Sequence, residues 1–202
     1  MKKNIIITIL LSLYGLCISF AQNNTNYYLE SKTFTREDYT YQCDVTPYKL
    51  VTLYNKGNTL TYEEIVYKST QKVFDIEYWQ KQNVVVDDEA MCKKVWYIVN
   101  DAFTREEARL FNNEELGFTL YIDSETGKVR EVDFEFLSIS SYAQFPVEKY
   151  REIEMKLKTE IQFTPSENGK QLNYIMMSWN IEPNGKRELE EPEQKFNKNM
   201  EV

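Results

Sequence analysis

The stretch FTLYIDSETGKVREVDFEF, Phe118 to Phe136, holds two runs of alternating apolar and polar residues around Ser124-Glu125-Thr126-Gly127. Alternation with period two marks strands that bury one face, and a polar segment ending in glycine is turn chemistry. An antiparallel hairpin is therefore predicted. Val132, Phe134 and Phe136 would face the core. Asp133 and Glu135 would share the opposite face, about 6.5–7 Å apart along the strand.

On the C-terminal side, Pro146 stands where a helix can begin, since the first turn needs no donor from that position. Tyr150, Ile153, Leu157 and Ile161 then recur at helical spacing, while Glu148, Lys149, Arg151, Glu152, Lys156 and Lys158 fall on the polar side. TPSENGKQ forms a loop, and LNYIMMSWNIE, Leu172 to Glu182, reads as a closing strand. On the N-terminal side, Asp87 or Asp88 can cap a helix whose apolar face is Met91, Val95, Ile98, Val99 and Ala102. A second helical piece, Thr104 to Phe111, opens with Thr104 and Glu107 in capping-box spacing. Further upstream, Tyr39, Tyr41 and Cys43 alternate as a short strand. KLVTLYN and TLTYEEIVYKS, either side of Lys56-Gly57-Asn58, read as a hairpin. Asn83 to Val86 is a short edge piece.

The predicted class is α+β, with antiparallel hairpins packed against helices. Thr52–Tyr67 and Thr119–Phe134 share their first three residues and a turn glycine. Two readings stand: a pair of ββα units plus a final strand, or two hairpins that look alike because both are rich in Thr, Leu and Tyr.

The chain opens MKKNIIITILLSLYGLCISFAQNN. Lys2 and Lys3, the apolar run Ile5 to Ile18 and the small-residue site at Ala21 are those of a signal peptide cleaved before Gln22. An uncleaved anchor is disfavoured because the apolar run is shorter than the roughly 20 residues that span a bilayer. Cys17 follows bulky Leu16, a poor setting for lipidation. The expected organisation is a signal peptide over 1–21, a hairpin-and-helix segment over 22–115, a ββαβ segment over 116–183 and a frayed polar tail over 184–202. Cleavage removes two lysines and no acid, taking net charge from −8 to −10. Such a chain is poorly suited to nucleic acid or to anionic lipid, both of which need clustered Lys and Arg. With 42% hydrophobic residues, 15 Tyr and 11 Phe, it can build a packed core.

Gly127, Val129, Phe163, Pro165, Asn168, Gly169 and Lys170 keep the spacing of a Gly-x-Val hairpin, a helix, a Phe-x-Pro element and an Asn-Gly-Lys turn. Over Gly117 to Glu182 this pattern resembles the TonB C-terminal domain. Gly127 and Gly169 would supply positive φ at turns, Phe163 would anchor the helix exit, and Pro165 would halt local pairing. Gln22 to Leu116 holds only Pro47, so the Pro-rich spacer of the energy transducers is missing and the resemblance implies the fold alone. The whole mature chain, through YTYQCDV (Tyr39 to Val45) and the TGKV…FTP…GK tail, also resembles an uncharacterised family of secreted proteins from gut anaerobes. That resemblance implies a domain of unknown function in the cell envelope.

The chemistry is sparse. The chain has no histidine, which excludes Ser-His-Asp and Cys-His nucleophile systems and His-ligated zinc. It contains neither a P-loop nor a GxGxxG, and no EF-hand loop, so no cofactor or metal is expected. Asp133 and Glu135 are the pair that could act as acid and base in glycoside hydrolysis; a solvated acidic face is the plainer reading. Glu63 and Glu64 are adjacent and point to opposite faces. Trp96 and Trp179 fall in a helix and a strand as packing residues, which leaves Trp79 as a possible contact for a sugar ring. Cys43 and Cys92 are a disulfide candidate in an exported chain, or two separate buried thiols. The expectation is an exported, non-catalytic binding or interaction module of the periplasm or cell surface. Its partner would be a protein or glycan met through a sheet face or edge. A carboxylate-based glycan hydrolase is the alternative.

Overall fold

Among the described residues every strand joins one antiparallel sheet. The strands are β1 (Lys32–Thr35), β2 (Thr40–Val45), β3 (Leu50–Asn55), β4 (Leu116–Ile122), β5 (Val129–Leu137) and β6 (Ile175–Ile181), in the order β1-β2-β3-β5-β4-β6. The computed structural model describes residues 25–74, 83–86 and 88–184. The proposed signal segment, Trp79, Asp87 and the tail beyond Asn184 lie outside them. Helices α1 (Asp88–Asp101), α2 (Arg105–Ala108) and α3 (Val147–Glu160) complete the α+β fold, with α3 against β5 and α1 against α3 and β6.

The quoted stretch folds as the β4–β5 hairpin, with Phe118 opposite Phe134 and Leu120 opposite Val132. Asp123 builds its turn: one carboxylate oxygen accepts from the amides of Glu125 and Thr126 at 3.1 and 2.8 Å. Gly127 follows at φ 72°. Its carbonyl accepts from Phe163 N at 2.9 Å, and a Cβ there would lie 1.7 Å from the Phe163 carbonyl oxygen. Gly169 departs from expectation. It does not have positive φ; it is needed because Val84 O would lie 2.1 Å from a Cβ at that position. Pro165, expected to halt pairing, carries a single bridge to Val85.

Helix signals read well. Pro146 is the N-cap of α3, and Tyr150, Ile153 and Leu157 are buried. Thr104 and Glu107 form the capping box at the start of α2, although that helix ends at Ala108 rather than Phe111. On the sheet's inner face Tyr150 stacks on Phe136 at 5.3 Å, and Tyr28 meets both rings edge-on. Glu154 of α3 is fully buried there, accepting from Tyr41 Oη, from Arg151 at 2.9 Å and from Lys158 at 3.3 Å. Burial, reinforced by Glu154, pushes the Tyr41 hydroxyl well above its ordinary range.

One expected hairpin does not form. β3 pairs with β2 through the tight turn Thr46–Lys49, and its other edge pairs with β5, Leu53 opposite Phe134 and Val51 opposite Phe136. Apolar partners on both flanks of β3 outcompete the run after Gly57, where Glu63 and Glu64 interrupt the apolar residues. Thr59–Ser69 instead leaves the sheet, making isolated bridges only at Val66 and Tyr67. Thr52 therefore lies in the second strand of its hairpin and Thr119 in the first of its own, so the similarity of the two segments is not a structural repeat.

Gly127→Ala should lower unfolding free energy by more than about 3 kcal/mol, combining left-handed strain with the clash at Phe163. Gly57→Ala, with its nearest contact a side-chain oxygen at 3.3 Å, should stay within about 1 kcal/mol of wild type. Equal urea midpoints for the two variants would refute this assignment.

Candidate functional site

The helices cover one sheet face; the other carries polar side chains in register. Gln42, Tyr54, Asp133, Thr119 and Ser178 form one row across five strands, and Asp44, Thr52, Glu135, Gly117 and Asn180 the next. Over this face runs the segment after β3. Glu131 holds it by accepting from consecutive amides, Thr59 N at 3.0 Å and Leu60 N at 2.8 Å, and from Thr59 Oγ1 at 3.0 Å. Asp133 accepts from Asn58 Nδ2 at 2.9 Å, Thr61 Oγ1 at 3.2 Å and Tyr121 Oη at 2.8 Å. The segment is thus a strap tied down by two carboxylates of β5.

Both carboxylates are covered, Glu131 7% and Asp133 3% exposed, so the expectation of a solvated acidic face is corrected at Asp133. Alternation put its side chain outward correctly; the strap then took the place of water. Burial above all, with the charge of Glu131, pushes the Asp133 carboxyl up to about 6 despite its three donors. Glu135, two residues on, stays exposed. The two candidate catalytic carboxylates therefore share a strand face but occupy different environments.

Beside the strap lies a cavity of about 410 Å³, lined among others by Gln42, Asp44, Tyr54, Asn58, Tyr62 and Glu63. Asp44 organises it. Its carboxylate accepts from Gln42 Nε2 at 2.8 Å, Tyr54 Oη at 2.8 Å and Tyr62 Oη at 2.9 Å. Partial burial works against ionisation, but these three donors outweigh it and hold the carboxyl below its ordinary value. The rings of Tyr54 and Tyr62 meet edge to face at 5.9 Å and 88°. Tyr62 is 70% exposed and yet fixed at its hydroxyl. Where β3 begins and β5 ends, register partners Leu50 and Leu137 are exposed apolar residues, as are Tyr48 and Ile139, each two positions from one of them along the chain.

The other sequence candidates fall elsewhere. Trp96 is half-buried on α1 and Trp179 stacks between Phe118 and Phe163, both as packing residues. Cys43 is buried on β2 and Cys92 half-buried on α1, and their sulfurs are not bonded to each other. Glu63 lines the cavity and Glu64 does not contribute a side chain to it. Among the described residues no three Cys, Asp or Glu side chains converge as a metal site would require, and no helix is long and apolar enough to cross a membrane. Sequence reasoning passed over Asp44, Tyr54, Tyr62 and Glu131. Asp44 could have been found as the outward neighbour in the alternation of Tyr39, Tyr41 and Cys43, and Tyr54 by applying the same alternation to Val51 and Leu53.

The family model described as "Domain of unknown function (DUF5043)" matches residues 24–179. The chain is 47% identical to a DUF5043 family protein from Bacteroides uniformis ATCC 8492 whose crystal structure is known. The likeness covers 80% of this chain and 96% of that one, at a TM-score of 0.75. No curated protein matches the chain.

The raised pKa of Asp133 has a definite sign. A carboxyl whose folded value lies above its unfolded one stabilises the fold most when protonated; that contribution is complete below about pH 4 and is lost as pH rises through about 6. Tyr121 Oη can then donate to Thr61 O, 3.2 Å away, while the protonated carboxyl donates to Tyr121. Asp133→Asn imitates this state. Relative to the variant, wild type should lose about 2–3 kcal/mol of stability between about pH 4 and pH 7, measured by urea unfolding at each pH. A pH-independent difference would sink the assignment.

Proposed function

We propose, since the chain belongs to the DUF5043 family and a domain of unknown function lends it no activity, that it is a non-catalytic binding module of the cell envelope. Its contact surface would be the strapped outer face of the sheet. The observation that carries this reading is Tyr62, an exposed ring whose hydroxyl is bonded to Asp44 where it lines a polar cavity. An aromatic side chain fixed in advance gives contact area without the ordering cost that a free one would incur on binding.

The alternative, a glycan hydrolase using Asp133 and Glu135, is less well supported. Such an enzyme needs two carboxyl groups flanking one scissile bond. Both oxygens of Asp133 are occupied by strap and sheet donors, and Glu135 stands in solvent on the uncovered part of the strand. The basic start, apolar run and Ala21 site of the N-terminal sequence support export to the periplasm or cell surface.

Affinity capture from native envelope extract, with the chain from Gln22 as bait, tests the reading. Capture should be saturable and fall at least about tenfold in Tyr62→Ala, with thermal stability unchanged because Tyr62 is exposed. Glycan turnover by the wild type that disappears in Asp133→Asn would overturn it in favour of the hydrolase.

A further inference from the structure

The cavity beside the strap restricts what can bind there. Its volume of about 410 Å³ lies in the range of small-ligand sites. Tyr62 offers an apolar ring face, and its hydroxyl is already committed to Asp44. Around the ring stand hydrogen-bonding groups with capacity left over. The Asp44 carboxylate has about four acceptor positions and accepts three bonds within the protein. Asn58 spends its amide nitrogen on Val132 O and Asp133, and its carbonyl oxygen accepts from no described residue. Lys56 and Glu63 stand exposed at the rim.

Charge narrows the choice further. Asp44 and Glu63 line the cavity against one cation, Lys56, and Glu131 and Asp133 lie behind the strap. A phosphate, sulfate or uronate would meet net repulsion. A protein partner is served no better here, because interfaces centre on an apolar core and the surrounding rows are Thr52, Thr119, Glu135, Ser178 and Asn180. A ring that presents C–H groups on one face and hydroxyls at its edge satisfies both halves of the site, stacking on the tyrosine while its hydroxyls donate to Asp44 and Asn58.

We propose that the cavity formed by Tyr62, Tyr54, Asp44 and Asn58 binds an uncharged sugar residue of an oligosaccharide. The inference rests on the binding-module reading and names its ligand class. The apolar group of Tyr48, Leu50, Leu137 and Ile139 supplies the control: Leu50 lies four residues from Tyr54 along β3, about 13 Å away.

The test is affinity gel electrophoresis of the chain from Gln22 in gels containing neutral polysaccharides (a β-glucan, a mannan, a galactan), polygalacturonate or chitosan. At least one neutral gel should retard the wild type. Tyr62→Ala should abolish the retardation, Tyr62→Trp should keep it, and Ile139→Asp should leave it unchanged. Retardation only by polygalacturonate or chitosan, or by no polysaccharide, would overturn the sugar inference. The envelope capture separates the two failures. A captured partner that is lost with Ile139→Asp and kept with Tyr62→Ala would leave a binding module working through its apolar end. No retardation and no capture would remove both readings.

Discussion

Two neighbouring outward positions on β5 carry carboxylates that the fold covers, and a covered carboxylate must be given donors or be neutralised. Glu131 and Asp133 obtain theirs from Asn58 to Thr61 and from Tyr121, by way of two consecutive backbone amides and four side chains counting Tyr121. The demand is mutual. A loop crossing a sheet face has amides that need acceptors, and these are the acceptors. The consequence reaches one residue further. Fixing Thr61 sets where Tyr62 begins, and Asp44 on β2 then fixes where its hydroxyl ends. Tyr62 is therefore secured at both ends by carboxylates.

The inner face sets the register on which this depends. Tyr41 and Cys43 point into the core from β2, so Gln42 and Asp44 must point out. A slip of one residue would exchange the two sets. Tyr41 cannot slip without abandoning Glu154, which would leave a fully buried carboxylate short of a donor beside Arg151 and Lys158. Removing one partner of a buried charge cluster is far more costly than the net value of the cluster. The polar tie between α3 and β2 thus sets the register of the outer face.

This division explains what could be read in the sequence. The Phe118–Phe136 hairpin, α1, α3 and β6 are each specified by local periodicity, and the capping box at Thr104 by spacing alone, so all were legible. Thr59–Ser69 was misread because its β-branched and aromatic residues suit a strand, and its actual partners, Glu131 and Asp133, lie about seventy residues away. Alternation predicts which way Asp133 points but is silent on what covers it. Gly169 was expected to supply positive φ at its turn, whereas a close approach by Val84 decides it, a contact between segments that no local pattern encodes. Of the site, Asp44 and Tyr54 were legible as outward residues; Tyr62 was not, because its position follows from the strap.

The carboxyl pKa values of Asp133 and Asp44, both on this face, shift in opposite directions. Burial draws Asp133 towards its neutral form, and three donors keep Asp44 ionised. Acidification through about pH 6 therefore changes the interior of the strap before it changes the anchor of Tyr62. The interior can accommodate that change, because the Tyr121 hydroxyl has a second acceptor in Thr61 O and the tie between β4 and the strap persists with its proton shifted by one position. A catalytic pair also sets two carboxyl pKa values apart, but it directs both groups at one substrate. Here the group with the raised value faces a strap that fills its coordination, and the group with the lowered value faces two tyrosines. The separation of the two values thus accompanies an arrangement in which the Tyr62 hydroxyl keeps an ionised acceptor while the interior of the strap changes its protonation.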